Sequence, residues 1–172
     1  MSKTGLASGN HTVKIEVTTS KNSASKSICQ GFDFIEITNN VPSTILTAGK
    51  YEETNPAFKF TGTWLKDSKT SYSSGSMLYS LTAGNSVEFT FTGTGFNWIQ
   101  PIDSYRGIAN VTIDGITQQV DTYSATSNLQ KIVLSKTGLA SGNHTVKIEV
   151  TTSKNSDSKS ICQGFDFIDV VN

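Results

Sequence analysis

Three sets of residues in this sequence have side chains able to do chemistry: scattered carboxylates, a pair of histidines and a pair of cysteines. Glu52, Glu53, Glu88, Asp103, Asp114 and Asp121 could supply the acid–base pair of a glycoside hydrolase. That reaction needs two carboxyl groups held at a fixed separation across the scissile bond, and no spacing singles out two of these six. His11 and His144 each follow Ser-Gly-Asn at the mouth of a strand. The context fits a turn contact, and no GxSxG nucleophile elbow accompanies it. Cys29 and Cys162 occupy one equivalent position, so no framework disulfide is expected, because a framework needs two positions per module. A lone cysteine in a strand reads as a small buried residue, and no CxxC or Cys–His cluster is present to hold zinc. The expectation is a protein that is not an enzyme and carries no catalytic cofactor.

The elements that position these residues are set by a duplication. Ser2–Asn39 and Ser135–Asn172 read alike at a constant offset of 133 residues, differing only at Ala24/Asp157, Glu36/Asp169, Ile37/Val170 and Thr38/Val171. A repeat has to be recognised before a fold is assigned. Residues 40–172 are read as one complete module, and residues 1–39 as the last two strands of a preceding tandem repeat. Fourteen basic residues balance fourteen acidic ones, so no overall field favours nucleic acid or an anionic membrane. No apolar stretch approaches the roughly 18–20 residues of a membrane span, and the first residues lack the pattern of a secretory leader. Neither a nucleic-acid partner nor membrane insertion is expected.

Strands punctuated by turns fill the module. Ser43–Glu53 reads as a first strand whose Gly49 marks a bulge or an early break. Phe58–Leu65 carries alternating aromatics and runs into a polar loop, and Ser76–Leu81 follows. Val87, Phe89 and Phe91 alternate with Glu88, Thr90 and Thr92, the period of a strand buried on one face. Next come Phe96–Ile102, then Ile108–Ile113 with the hairpin signal Asp114-Gly115, then Ile116–Tyr123 and Leu129–Leu134. The repeated segment supplies the last two strands, His144–Thr151 and Ile161–Val170. In the last of them Phe165 and Phe167 are expected on one face, and Asp166 and Ile168 on the other. About ten short strands without helices predict an all-β chain, an antiparallel β-sandwich of jelly-roll type.

Taken in order, FTGTW (60–64), SYSSGSMLYS (71–80), VEFTFTGTGFNWI (87–99), GIANVTIDG (107–115), VDTYS (120–124), GLASGNHTVKIEV (138–150) and FDFIDV (165–170) resemble a known family. It is that of the galactose-binding-like jelly-roll carbohydrate-binding modules attached to bacterial carbohydrate-active and surface proteins. The resemblance implies non-catalytic recognition of a glycan or polysaccharide by aromatic and polar groups in loops or on the concave face, in a secreted or cell-surface protein. An exposed Trp or Tyr can stack on the C–H face of a sugar while Asn, Asp, Gln or Arg reads the hydroxyl rim. The residues that fit are Trp64 with Tyr72, and Trp98 with Asn97, Gln100, Asp103, Tyr105 and Arg106. Trp64 and Trp98 each have a second reading, as core residues closing the sandwich. Related jelly rolls also carry a structural calcium near the first and last strands, where Glu52 or Glu53 and Asp166 or Asp169 fall. A structural spacer module needing no ligand is the alternative function. In either case the duplicated hairpin opens a route to self-association, by donation of strands to a neighbouring molecule.

Overall fold

The structure is a computed structural model, described here for residues 14, 20, 23–27 and 44–172. The chain divides into two compact units, Met1–Asn40 and Val41–Asn172. In the first unit the described segment is a turn in which the Ser25 hydroxyl donates to the Ser27 carbonyl at 2.6 Å. The predicted strands His11–Thr18 and Ile28–Ile37 lie outside the described residues.

The second unit carries strands β1 (Ile45–Leu46), β2 (Gly49–Glu52), β3 (Lys59–Thr61), β4 (Leu65–Ser68), β5 (Ser76–Ser80), β6 (Ser86–Gly93), β7 (Gly95–Ile102), β8 (Ile108–Ile113), β9 (Ile116–Asp121), β10 (Asn128–Lys136), β11 (Gly142–Val150), β12 (Gln163–Phe165) and β13 (Phe167–Val171). One 3-10 turn, Ser73–Gly75, precedes β5. The first sheet has the order β1-β6-β11-β8-β9, with β3 also on β6; the second has the order β10-β7-β13-β2; β12-β5-β4 form a small third sheet. Every pairing between these strands is antiparallel except β1 with β6. The fold is the all-β jelly-roll sandwich that the strand pattern predicts.

Alternation builds its core. Val87, Phe89 and Phe91 on β6, Val146 and Ile148 on β11, and Val111 on β8 point inward from the first sheet, all buried. Phe96 and Trp98 on β7 and Ile168 and Val170 on β13 meet them from the second. Phe96 stands edge-on to Phe89 at 5.6 Å, and Phe165 stands edge-on to Phe58 at 4.9 Å. Such contacts add about 0.5–1.5 kcal/mol each beyond the area they bury.

Three predicted strands are broken in the structure: Phe58–Leu65 ends at Thr61 as β3, with Leu65 opening β4 in another sheet, and the other two breaks matter to the site. The Ser43–Glu53 strand divides at Gly49, whose φ of +142° turns the chain from the first sheet (β1) to the second (β2). The Ile161–Val170 strand divides at Asp166, the residue between β12 and β13. Because of that break Phe165 and Ile168 both enter the core, while Phe167 is half-buried with the Lys50 ammonium over its ring at 4.0 Å. The expected sharing of a face by Phe165 and Phe167 is therefore corrected: one residue out of register exchanges the two faces.

The duplicated sequence occupies central places. β11 lies between β6 and β8, and β13 between β7 and β2. The C-terminal copy thus completes both large sheets.

Candidate functional site

The break at Asp166 brings three carboxylates together. Glu52 ends β2, Glu53 follows it, and Asp166 lies across the sheet, where the Glu53 N–H donates to the Asp166 carbonyl at 3.1 Å. One oxygen of each carboxylate is engaged by the protein. Ser73 donates its hydroxyl to Glu52 Oε1 at 2.7 Å and its N–H to Asp166 Oδ2 at 3.3 Å, and Ser76 donates to Glu53 Oε1 at 2.5 Å. The other three oxygens, Glu52 Oε2, Glu53 Oε2 and Asp166 Oδ1, are buried without a partner. Each residue offers a ligand oxygen within 4.8 Å of the others'. Asp166 is fully buried, and burial, reinforced by the nearby charges of Glu52 and Glu53, pushes its carboxyl up to about 6 against a partial offset from the Ser73 N–H.

Unpaired carboxylate oxygens in a protein interior are costly, and converging ones repel. A hard divalent cation removes both penalties, and an oxygen-only donor set suits calcium, which accepts several carboxylates at 2.3–2.6 Å. Glu52, Glu53 and Asp166 fit that ion and are the residues that would hold it. When bound, calcium would supply a cross-link between β2 and the β12–β13 corner. Asp169, the other residue considered from sequence, is half-buried on β13 opposite Lys50 and Asn97, apart from the trio. The serines Ser73 and Ser76 were not legible as part of this cluster. They come to it through the 3-10 turn, which has no periodic signature.

Of the eight residues expected to contact a ligand, four are buried. Trp98 is fully buried between the sheets, which corrects its ligand-facing role: its position on β7 points the ring into the core beside Ile168. Gln100 is likewise fully buried and donates to Gln163 Oε1 at 3.2 Å. Tyr72 is 4% exposed, its hydroxyl donating to Asp67 at 2.6 Å. Arg106 is 6% exposed; it donates from Nε and Nη2 to Asp103 Oδ2 at 3.1 Å and from Nη1 to the buried Cys162 Sγ at 3.3 Å. A guanidinium so engaged pins two loops together and has no face left for a sugar.

Trp64 is half-buried against Phe60, ring centroids 5.2 Å apart, and its indole N–H donates to the Thr61 carbonyl at 3.2 Å. Asn97 is half-buried on β7. Tyr105 is the exposed aromatic of the set, at 55%, held in its loop by a 2.8 Å bond from its N–H to Asp103 Oδ1 and flanked by the Lys159 ammonium at 5.3 Å. The structure groups Asp103, Tyr105 and Arg106 in one loop, with Trp64 and Tyr72 each seated in its own local packing.

A second surface was not singled out from the sequence. On the outer face of the first sheet lies a groove of about 310 Å³ lined by Lys59, Glu88, Thr90, Thr112, Thr145 and Lys147, with Thr44 and Ala57 at its side. Strand register builds it rung by rung. Lys59 pairs with Glu88, Glu88 with Lys147, and Lys147 with Thr112 across β3, β6, β11 and β8; Thr90 pairs with Thr145 on the next rung. Glu149 accepts from Lys147 at 2.5 Å and, with Glu88 nearby, raises the lysine's affinity for its proton. The alternation that buries Val87 and Phe89 carries the signal for this face, since it must turn Glu88 and Thr90 outward. Only the pairing of the strands shows which outward residues become neighbours.

Over 153 residues the chain is 31% identical to the A type blood alpha-D-galactosamine galactosaminidase of Flavonifractor plautii, covering 87% of this chain and 13% of that protein. Over 98 residues it is 36% identical to the A type blood N-acetyl-alpha-D-galactosamine deacetylase of the same organism, covering 56% of this chain and 13% of that protein. The chain thus spans about an eighth of the length of these relatives. Among solved structures, xanthan lyase from Paenibacillus matches with a TM-score of 0.56 at 23% identity, over 76% of this chain and 14% of that one, a likeness of fold. The profile of one family, described as heme-binding protein Shr-like, Hb-interacting domain, matches residues 67–157.

Proposed function

The chain belongs to the family described as heme-binding protein Shr-like, Hb-interacting domain, and within it we propose that this member is a non-catalytic carbohydrate-binding module of a secreted or cell-surface protein. The observation that carries the reading is the outer groove. Its hydroxyls and paired charges, from Lys59, Glu88, Thr90, Thr112, Thr145 and Lys147, are the groups that read a sugar's hydroxyl rim. Its volume falls at the lower end of the roughly 300–1,000 Å³ usual for ligand sites. Tyr105, exposed at the loop end, is a second contact that stacking on a sugar face would use. The two relatives support the reading: each is named for action on a galactosamine glycan, and each is matched over 13% of its length, the share of one module in a longer protein. Glu52, Glu53 and Asp166 serve the fold in this reading, not catalysis.

The test is a glycan array followed by calorimetry on whichever oligosaccharide binds, with galactosamine- and N-acetylgalactosamine-terminated glycans included. Thr145→Val and Lys147→Ala should weaken binding by about tenfold or more while leaving the melting temperature within a few degrees. Loss of binding in Tyr105→Ala alone, with the groove variants unchanged, would move the site to the loops. Hemoglobin belongs in the same assay because of the family's description. Capture of hemoglobin without any glycan would replace the carbohydrate reading.

A further inference from the structure

We propose that the Ser2–Asn39 copy is a second, interchangeable occupant of the two slots that β11 and β12–β13 fill, so that a chain can close its own sandwich from either end or close that of a second copy.

Most contacts the C-terminal copy makes with the rest of the module depend on residues the N-terminal copy also has. Buried His144, Val146, Ile148 and Val150 on β11 correspond to His11, Val13, Ile15 and Val17, and buried Phe165 and Ile168 correspond to Phe32 and Ile35. The polar attachments carry over as well. Asp114 receives His144 at 2.6 Å, Arg106 reaches Cys162 at 3.3 Å, and Gln100 reaches Gln163 at 3.2 Å; the counterparts are His11, Cys29 and Gln30. Asp166 in the acidic trio has Asp33. Three of the four differences fall where little depends on them: Asp157 is exposed, and Asp169 and Val171 are half-buried. The fourth, Val170, is buried and gains one methylene group as Ile37.

The described part of the N-terminal copy already has the local structure its counterpart uses. Ser25 donates its hydroxyl to the Ser27 carbonyl at 2.6 Å and accepts the Ser27 N–H at 3.3 Å. Ser158 and Ser160, their equivalents, make the same pair of bonds at 2.8 and 3.3 Å. In the C-terminal copy that turn is what docks on the module, the Ser158 hydroxyl donating to the Arg106 carbonyl at 2.7 Å.

The connection reaches. Val171, the counterpart of Thr38, lies against Gly93, whose added Cβ would meet the Val171 carbonyl at 2.6 Å. β1 begins at Ile45, paired with Thr90. Three residues along β6 and one strand across is on the order of 10–15 Å, and the seven residue steps from Thr38 to Ile45 extend to about 23–25 Å. A chain closed in this way is a circular permutant of the same sandwich, with its C-terminal hairpin released to enter another copy. Exchange of that kind is head-to-tail and extends into open chains unless it closes into a ring.

The experiment uses the full chain. Ile148 is 1% exposed between Val87 and Val111, so Ile148→Asp disables the C-terminal occupant. With Ile15 intact, the I148D chain should keep a cooperative thermal transition and resist proteolysis at least about tenfold longer than the I15D/I148D chain, in which neither copy can serve. Monomeric I148D would mean closure within the chain, and concentration-dependent dimers or longer species would mean closure between copies; both outcomes uphold interchange. Equal behaviour of the single and double variants, whether both folded or both unfolded, overturns it.

Discussion

At the scale of single residues, the outcome turns on which face of a strand each side chain takes. Trp98 and Gln100 follow the alternation of β7 into the core, and Arg106 is folded back onto Asp103 and Cys162, so residue types suited to a sugar became structural. Asp166 shows the opposite case, a carboxylate placed where burial opposes its charge. Its folded proton affinity, at about 6, lies above the ordinary 3.8. Between those values the folded state keeps a proton that the unfolded state has released. Without metal, stability therefore falls as pH rises from about 4 through about 6, and the full cost is in place above that window. Calcium should reverse that cost. At 100 times its Kd a native-state ligand adds about 2.7 kcal/mol, so the melting temperature at pH 7.5 should rise with calcium and fall with chelator, and the difference should shrink at pH 5. Asp166→Asn should abolish the response. Identical melting with calcium and with chelator at pH 7.5 would show that the trio holds no ion.

Between elements, hairpin and strand are joined by one ionic clamp. Asp114 has a φ of +49° and Gly115 of +84°, the turn between β8 and β9, which the Asp-Gly pair announces in the sequence. What the pair does not announce is the destination of the aspartate side chain. It receives His144 Nδ1 at 2.6 Å and the Thr145 N–H at 2.8 Å, while His144 Nε2 faces the Ala140 carbonyl at 2.7 Å. Both ring nitrogens face acceptors, a geometry satisfied by the imidazolium. The Asp114 hydrogen bond, with the Ala140 carbonyl, raises the histidine's proton affinity above its usual 6.5, and the bond from His144 lowers that of Asp114 below 3.8. The clamp's stabilisation is full below the unfolded histidine's value and above the unfolded aspartate's. It is lost as pH rises through the folded histidine value, and again as pH falls through the folded aspartate value. Asp114→Asn keeps a residue that tolerates the turn. Chemical denaturation across pH 5–9 should find it less stable than the parent near pH 5–6, with the gap closing toward pH 9. A gap independent of pH would mean that the clamp is uncharged.

For the molecule as a whole, all thirteen strands described fall within Val41–Asn172, and so do the core, the acidic trio and the outer groove. Residues 41–172 alone should therefore fold, with a cooperative transition and a buried thiol. Cys162 is 7% exposed, and burial raises its thiol's proton affinity against the opposing pull of Arg106, so labelling by a thiol reagent should be slow until denaturant is added. Rapid labelling of the native fragment would contradict the packing of the β12 corner. No helix among the described residues is long and apolar enough to cross a membrane.

Most strands, their turns and the all-β class were legible in the sequence, because alternation and the Gly and Asp-Gly signals are local properties of the chain. The duplication, a comparison of letters, was legible as well, and the resemblance to a family pointed to Glu52 or Glu53 and Asp166 or Asp169 as residues beside a structural calcium. Which strands become neighbours is a property of the folded pairing. The breaks at Gly49 and Asp166 each send halves of one predicted strand to different sheets, which converges three carboxylates and exchanges Phe165 with Phe167, while the pairing of β3, β6, β11 and β8 lines up Lys59, Glu88, Lys147 and Thr112 in one rung. Such contacts join residues far apart in the chain, and their register is fixed by how the two sheets pack, so no periodicity within a single strand can encode them.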